Sequence, residues 1–443
     1  MDITWVVLLL FLMMFISFAM GVPVAFALGG AGVLVILFAW NPGSLTLVAL
    51  AAVNKLSGFA FLAIPFFIFM GIVLETAGIA DDLFRMMFKW FGQLRGGLAV
   101  GTVLICTVFA AMTGVSGAAT VTMGVIALPA MLKRNYQKEI SIGCIAAGGA
   151  LGILIPPSIT MIIYGLIAPE SVGKLFAGGV FAGLTLSALF IAYILIRSRL
   201  QPHLAPALPM EERGGWRERF VTLRAVIAPI FLVLAVLGSI FGGITSVSEA
   251  GAMGAAGSLL CAAVYRRLNW GMLKESCFRT LRLTCMVMWI ILGATAFSSF
   301  ISASGISRVI GDFVLALEVN RWTILVGIQL VLILMGMIME TTGIIMVTVP
   351  IFVPIIKALG FDPVWFGVLF VVNTEMAFLT PPFGYNLFYM RAVVPEGITM
   401  IDIYRSIVPF VFLQAIGLVL CMVFPAIILW LPSVVFGVPM GMS

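Results

Sequence analysis

Residues 96–132 form an uncharged, apolar stretch that Thr113-Gly114-Val115-Ser116-Gly117 interrupts in the middle. Glycine continues a helix poorly, so the stretch is predicted to form two helical limbs. Each limb has roughly 16 residues, which is fewer than the roughly 20 needed to cross a bilayer core. Basic residues flank both ends, with Arg95 before the first limb and Lys133 after the second. The sequence therefore predicts a re-entrant helical hairpin at about 96–132, with its tip near the membrane midplane.

The next uncharged stretch, residues 140–168, contains the pair Pro156-Pro157. Proline lacks an amide donor and clashes with the carbonyl four residues earlier, so the carbonyls of Gly152 and Ile153 are expected to be unpaired. In lipid, such groups are tolerated where they line a cavity or meet a ligand. Secondary transporters build substrate and cation sites from broken helices of this kind. The alternative is a proline kink that neighbouring helices repair.

A second interruption of this type follows 225 residues later, at Thr380-Pro381-Pro382. Four further pairs of landmarks recur at offsets of 225 to 227 residues: Pro129 and Pro354, Tyr164 and Tyr389, Pro169-Glu170 and Pro395-Glu396, and Ala77-Gly78-Ile79 and Ser304-Gly305-Ile306. This period is far longer than the roughly 20–50 residues of stacked solenoid repeats. It is typical of the two halves of a transporter.

The composition places the chain in the lipid bilayer. Hydrophobic residues make up 63% of the 443 positions and charged residues 9%, against roughly 25% charged residues in soluble domains. In a membrane protein, a net charge of +6 mostly reflects basic residues in the loops on one side of the membrane. We therefore expect no nucleic-acid partner. The six cysteines show no CxxC spacing, and the single histidine, His203, lies in a Pro-rich loop. Neither a metal knuckle nor acid–base catalysis is indicated, and the chain is not expected to be an enzyme.

The predicted fold is an all-α polytopic membrane protein with two inverted repeats. N-terminal scaffold helices occupy residues 1–57, with a turn at Gly21-Val22-Pro23. The first repeat is predicted at 58–196, with its broken helix at about 140–168. A cytoplasmic linker at 197–224, which includes the 211–215 run EERGG, and central scaffold helices at 225–282 follow. The second repeat is predicted at 283–443, with a hairpin at about 321–357 and a broken helix at about 363–390.

Individual elements are predicted within these units. A third span is expected at 58–77, an amphipathic interfacial helix at 81–95, and a last span at 406–431. Ser246 and Glu249 fit a capping box, so Glu249 is expected to begin a helix rather than to catalyse a reaction. Glu75, near the end of the third span, is expected at the membrane interface.

The distribution of basic residues predicts the orientation. With the N-terminus outside, 19 of the 24 basic residues lie on the inner face, as the positive-inside rule requires. The first hairpin then opens to the cytoplasm and the second to the outside, so the repeats are inverted. Both termini are predicted to be periplasmic.

Four runs resemble the large membrane subunit of tripartite ATP-independent periplasmic (TRAP) transporters. They are GVSGAATVTMGVIALPAML (114–132), LGILIPPSITMIIYG (151–165), TVPIFVPIIKALGFDPVWFGVLFVVNTEM (348–376) and TPPFGYNLFYM (380–390). The resemblance covers nearly the whole chain in the correct order. It implies Na⁺-driven uptake of a small organic acid, such as a dicarboxylate or sialic acid, across the bacterial inner membrane. It also implies a periplasmic substrate-binding protein, a separate small membrane subunit, and an elevator motion of both hairpins and both broken helices.

The candidate ligands cluster at the two interruptions. Na⁺ prefers hard oxygen ligands, which hydroxyls and carbonyls supply. The first predicted set is Ser116, Gly117, Gly149, Pro156 and Ser158, and its repeat partner is Glu340, Thr341, Thr342, Gly343, Thr380 and Gly384. A hydroxyl bonded to the preceding helical turn is the alternative for each Ser or Thr. The substrate carboxylate is predicted between the tips, at Ser116, Gly117 and Ala118 and at Thr342 and Gly343, where helix N-termini present free amides.

Two carboxylates lie near this predicted site. Glu340 stands at the second tip, where the family is expected to carry aspartate more often. It is either a Na⁺ neighbour or gate, or a charge held by a local hydroxyl or amide. Glu375 is either functional or paired with a scaffold arginine. An ionisable group at this depth costs on the order of 2.5–3.5 kcal/mol, so each needs a partner.

The sequence leaves two rival functions open. One is a stand-alone Na⁺- or H⁺-coupled carboxylate carrier that needs no binding protein. The other is a membrane-embedded enzyme or respiratory pumping subunit, which is disfavoured because no lysine falls in a predicted span and the one histidine lies outside the membrane.

Overall fold

A computed structural model describes residues 3–209, 215–316 and 319–437. These residues form helices and connecting loops with no strand, and six of the helices are long and apolar enough to cross a membrane. The prediction of an all-α polytopic membrane protein is therefore confirmed. Acidic residues 211 and 212 of the predicted linker lie outside the described residues, as do Arg213 and Gly214.

The described residues of the first half contain ten α-helices. They are α1 (Ile3–Ala19), α2 (Val24–Ala39), α3 (Leu45–Leu56), α4 (Ala63–Thr76), α5 (Ile79–Phe91), α6 (Gly97–Thr113), α7 (Ser116–Leu132), α8 (Lys138–Ala150), α9 (Ile159–Ile167) and α10 (Val172–Leu200). The limbs α6 and α7 have 17 residues each. At a rise of 1.5 Å per residue each is about 25 Å long, which is shorter than the hydrocarbon core of a bilayer.

The described residues of the second half contain ten more. They are α11 (Trp216–Phe241), α12 (Val247–Val264), α13 (Trp270–Ser304), α14 (Ile306–Leu315), α15 (Arg321–Gly336), α16 (Thr341–Ala358), α17 (Pro363–Phe378), α18 (Tyr385–Val393), α19 (Met400–Val423) and α20 (Ala426–Phe436). Elements α14 to α19 follow the order of α5 to α10. Gly78 and Gly305, matched landmarks of the two halves, both have positive φ, 69° and 73°, and stand directly before α5 and α14.

Small residues bring the helices around α13 into close contact. A Cβ built on Gly293 of α13 would lie 2.0 Å from the backbone oxygen of Ala25 in α2. A Cβ on Gly32 of α2 would lie 2.8 Å from the backbone nitrogen of Phe297. Helices approach this closely in membranes where glycine replaces larger side chains. Helices α2, α4, α12 and α13 thereby form one packed group, which we call the scaffold group.

The helices of the two interruptions form a second group. Helix α7 packs on α18, α8 on α19, α9 on α16 and α10 on α17, so that elements from the two halves alternate. Lys357 at the end of α16 forms an ion pair of 2.8 Å with Glu170, which lies just before α10. Both interruptions therefore lie within one helical body.

Several element boundaries differ from the sequence prediction. Helix α3 was not expected, and α11 begins at Trp216 inside the predicted linker. Helix α13 runs without a break through the predicted boundary at 282/283. It continues because its charged N-terminal turns, which the hydropathy pattern separated from the apolar part, have good helix-forming residues.

The C-terminal region also differs from the prediction. The last predicted span, 406–431, is divided into α19 and α20 at Phe424 and Pro425, because proline cannot continue the hydrogen-bond ladder. The capping box at α12 is confirmed. The Ser246 hydroxyl accepts from the Glu249 amide, and the Glu249 carboxylate accepts from the Ser246 amide at 2.7 Å.

Candidate functional site

The turn between α6 and α7 is in backbone contact with the first Pro-Pro interruption. Gly114 has a φ of +64°, and a Cβ on it would lie 2.5 Å from the carbonyl oxygen of Pro157. A Cβ on Gly152 would lie 2.8 Å from the carbonyl oxygen of Val115 and 2.9 Å from the amide nitrogen of Ser116. Two glycines thus allow the tip of the hairpin to touch the broken helix. The Pro156–Pro157 and Pro381–Pro382 peptide bonds are both cis.

Ser158 uses its hydroxyl within the broken helix. It donates to the carbonyl of Ile153 and accepts from the amide of Met161 at 3.2 Å, which caps the start of α9. The expectation that the Ile153 carbonyl is unpaired was therefore wrong. A hydroxyl oxygen has two lone pairs, and one of those on Ser158 remains for a further contact.

The first turn of α7 has no side-chain cap. Its N-cap residue, Val115, is extended and makes no capping bond to the amides of Ser116 or Gly117. The first amides of a helix have no partner within the helix, and the helix dipole adds partial positive charge there. This end of α7 is therefore suited to bind an anion.

The start of α16 is arranged differently. Glu340 caps it, because its carboxylate accepts from the Thr342 amide and from the Thr342 hydroxyl, both at 3.0 Å. A local hydroxyl and a local amide therefore contact this carboxylate, as one of the two alternatives expected. The other alternative, a Na⁺ neighbour or gate, stays a prediction. The Thr341 hydroxyl is buried and has no hydrogen-bond partner among the described residues. The second tip therefore presents oxygen atoms and a negative charge, which suit a cation.

A cavity of about 130 Å³ lies between the two tips, and we call it the tip cavity. Its polar lining comes from Ser116, Thr160, Glu340, Thr341, Thr342, Tyr385 and Tyr389. Its apolar lining includes Ile68 of α4 and Leu283, Met286 and Val287 of α13. The tips therefore close against the scaffold group, so that the site is bounded by both groups of helices.

A second cavity of about 240 Å³, which we call the wall cavity, adjoins the tip cavity. The two share Ile68, Val115, Gly117, Leu283 and Tyr389. The wall cavity is also lined by Ala118 of α7, Glu75 of α4 and Arg279 of α13. The Arg279 guanidinium donates to the Glu75 carboxylate at 2.8 Å. A substrate at the start of α7 would thus face an ion pair of the scaffold group.

The structure brings together about half of the predicted site residues. Ser116, Gly117, Glu340, Thr341 and Thr342 line the tip cavity, and Ala118 lines the wall cavity. The remaining candidates lie outside the described lining of both cavities: Gly149, Pro156, Ser158, Gly343, Thr380 and Gly384. Thr380 donates its hydroxyl to the carbonyl of Met376 at 2.8 Å, which is the local bond considered as the alternative. Whether these residues bind Na⁺ stays a prediction.

Glu375 has a different partner from the one considered. It is fully buried, and its carboxylate accepts from the side-chain amide of Gln414 in α19 at 2.9 Å. No arginine contact to it occurs among the described residues. Glu375 lines neither cavity, so the structure does not connect it with the tips.

Sequence reasoning assigned no site role to several polar residues of the two cavities, among them Glu75, Thr160, Arg279, Tyr385 and Tyr389. Tyr389 was used only as a repeat landmark, matched to Tyr164, but the two differ: Tyr164 is buried and Tyr389 is 39% exposed. Tyr385 was not considered. Arg279 was counted only among the 19 basic residues predicted on the inner face, and Glu75 was expected at the interface. The sequence contained a signal for Arg279. Its helical spacing from Leu283 and Met286 places the guanidinium on the apolar face of α13.

Comparisons with known proteins agree with this architecture. Residues 11–427 match the family described as "Tripartite ATP-independent periplasmic transporter, DctM component". The chain belongs to this family. It is 33% identical to the C4-dicarboxylate TRAP transporter large permease protein DctM of Vibrio cholerae, over 97% of this chain and 98% of that one. It is 31% identical to the ectoine TRAP transporter large permease protein TeaC of Halomonas elongata, over 85% and 87%.

A solved structure supports the fold of this permease. The Alcanivorax borkumensis YdaH transporter superimposes with a TM-score of 0.61 over 92% of this chain and 91% of that one, at 14% sequence identity. The prediction of a TRAP large permease subunit is confirmed, and permeases of this family work with a small permease subunit and a periplasmic binding protein. The relatives of this permease are transporter permeases rather than enzymes.

Proposed function

We propose that this permease carries a small organic acid into the cell with Na⁺ as the coupling ion, with a C4-dicarboxylate as the first candidate substrate. The observation that carries the proposal is the polarity of the tip cavity, with an uncapped helix start on one side and Glu340, Thr341 and Thr342 on the other. A carboxylate fits the first side and a cation the second. The C4-dicarboxylate relative, matched over nearly its full length, suggests the substrate class.

The proposed sites combine the predicted residues with this polarity. The substrate carboxylate lies against the amides of Ser116, Gly117 and Ala118, while Thr342 and Gly343 close the other tip. Na⁺ binds at the oxygen atoms around the two interruptions, where the unpartnered Thr341 hydroxyl and the remaining lone pair of Ser158 fit a hard cation. Bound Na⁺ draws the two tips together and offsets the charge of the acid in the membrane interior.

The proposed motion is an elevator movement of inverted repeats. The 16- to 18-residue limbs of α6, α7, α15 and α16, the shared order of α5–α10 and α14–α19, and the alternate packing of the two halves support it. The helical body that holds both tips moves against the scaffold group, while the acid and Na⁺ stay between the tips. A periplasmic binding protein supplies the acid on the outer side of the inner membrane.

Reconstitution tests the function directly. Proteoliposomes that contain this permease and its small subunit are expected to accumulate radiolabelled succinate only with an inward Na⁺ gradient and added binding protein. Uptake without binding protein would instead identify a stand-alone carrier. Uptake driven by a pH gradient in Na⁺-free buffer would contradict Na⁺ coupling.

The Thr341 hydroxyl provides a residue-level test of the cation site. Thr341→Val keeps the shape but removes the unpartnered oxygen, so we expect the Na⁺ concentration for half-maximal uptake to rise about tenfold, as for the loss of one ligand to a charged group. Thr348→Val is the matched control, because the Thr348 hydroxyl of the same helix is buried but donates to the Ile344 carbonyl. If Thr341→Val leaves Na⁺ dependence unchanged and raises thermal stability, the hydroxyl is not a ligand.

A further inference from the structure

The wall cavity contains two groups that attract anions. One is the uncapped start of α7, of which Gly117 and Ala118 line the cavity. The other is Arg279 of α13, the one Lys or Arg in the described lining of either cavity. A helix start and a guanidinium that face one space form a combination that binds carboxylates in many proteins. The first belongs to the body with the tips and the second to the scaffold group.

Arg279 has hydrogen-bonding capacity beyond its ion pair. Its side chain is 41% exposed, and it makes one hydrogen bond among the described residues, to Glu75. The other neighbouring carboxylate, Glu275, lies 3.9 Å away, which is beyond hydrogen-bond length. A guanidinium carries five N–H donors, so most of those on Arg279 are free for a ligand.

Unlike the wall cavity, the tip cavity has no cationic side chain in its described lining. Glu340 is the one Asp, Glu, Lys or Arg in its described lining. A carboxylate at the start of α7 is therefore repelled from the Glu340 side unless a cation is bound there. Once Na⁺ leaves, the nearest complementary charge is Arg279, in the adjoining cavity.

We propose that Arg279 binds the acid group of the substrate as it leaves the tip cavity, so that the wall cavity is a second, scaffold-borne substrate site. This inference rests on the proposed function. The acid group passes from the amides of α7 to the guanidinium of Arg279 across Gly117 and Tyr389, which line both cavities. Arg279 of the scaffold group, which does not move with the tips, then binds the acid that the tips release.

Glu75 sets how long the acid stays. It occupies Arg279 in the structure described here, with an ion pair of 2.8 Å. A departing acid must displace the Glu75 carboxylate from Arg279, and Glu75 later displaces the acid from the same guanidinium. Because Glu75 is tethered and always present, it acts as a competitor that keeps the second site weak. The site therefore favours acid groups over neutral molecules without trapping them.

Four variants separate this role from that of a structural ion pair: Arg279→Gln, Arg279→Lys, Glu75→Gln and the double variant Glu75→Gln/Arg279→Gln. Binding of radiolabelled succinate is measured on the purified permease–small subunit complex, and uptake is measured in proteoliposomes with the binding protein. Arg279→Gln is expected to weaken binding and slow uptake about tenfold, with Arg279→Lys in between. Glu75→Gln is expected to tighten binding roughly two- to fivefold, because the competitor is gone.

The double variant decides between the two roles. A substrate-binding Arg279 predicts that the double variant is as defective as Arg279→Gln alone. A structural ion pair predicts instead that both single variants are defective and that the double variant recovers, because neither charge is then unpaired. Recovery would overturn this inference while leaving the proposed function intact. A wild-type complex that neither binds nor transports succinate would contradict the proposed function itself.

Discussion

Replacing Gly114 with alanine is expected to lower Na⁺-driven uptake by roughly 10- to 100-fold, because the substitution strains the hairpin tip between α6 and α7 by about 1–3 kcal/mol. Gly114 has a φ of +64°, which disfavours any residue with a Cβ. The added Cβ would also lie 2.5 Å from the Pro157 carbonyl oxygen, a backbone atom that cannot rotate away. The hairpin tip must therefore separate from the broken helix.

A matched control isolates the contact from the backbone conformation. Gly243 has nearly the same φ, +65°, but a Cβ built on it has no neighbour within 4 Å. Gly243→Ala therefore carries the conformational penalty alone, and we expect it to lower thermal stability while uptake per folded complex stays near that of the wild type. Equal uptake by the two variants, normalised to protein in the proteoliposomes, would show that the contact between tip and break is not required.

Replacing Gly71 with alanine is the second change with a large expected effect. Gly71 lies on α4 in the scaffold group, and a Cβ on it would lie 2.7 Å from the Cα atom and 3.0 Å from the carbonyl oxygen of Thr113. Thr113 ends α6, directly before the tip. The methyl group therefore enters the surface between the scaffold group and the hairpin, and we expect uptake to fall at least tenfold.

The effect of Gly71→Ala should be on movement rather than on folding. Alanine is favoured over glycine within a helix by roughly 1 kcal/mol, so the helix itself gains stability. Gly30→Ala in α2 is the control, because a Cβ there has no neighbour within 4 Å. We expect both variants to assemble with the small subunit and to elute as the wild-type complex in size-exclusion chromatography. Normal uptake by Gly71→Ala would show that α4 and the hairpin do not need to touch during transport.

The elements of the site could be predicted because their signals are local. The glycines at 114 and 117 and the two Pro-Pro pairs mark the ends of α6, α8 and α17 to within a few residues. The capping box at Ser246 and Glu249 follows from a four-residue pattern. Helix boundaries were predicted wrongly where hydropathy alone was used to assign them. The charged turns of α13 continue its helix, and Pro425 divides an apolar run that was read as one span.

The amino-acid sequence by itself determined the membrane class, the two interruptions and the family, because apolar composition, helix breakers and recurring motifs are properties of the chain alone. Only the tertiary structure decided which oxygens and charges meet. Glu375 bonds to Gln414 and Glu75 to Arg279, pairs that lie 39 and 204 residues apart in the sequence. A side chain's partner depends on which helix faces come together, and small residues such as Gly71 and Gly293 set that packing through contacts between distant segments.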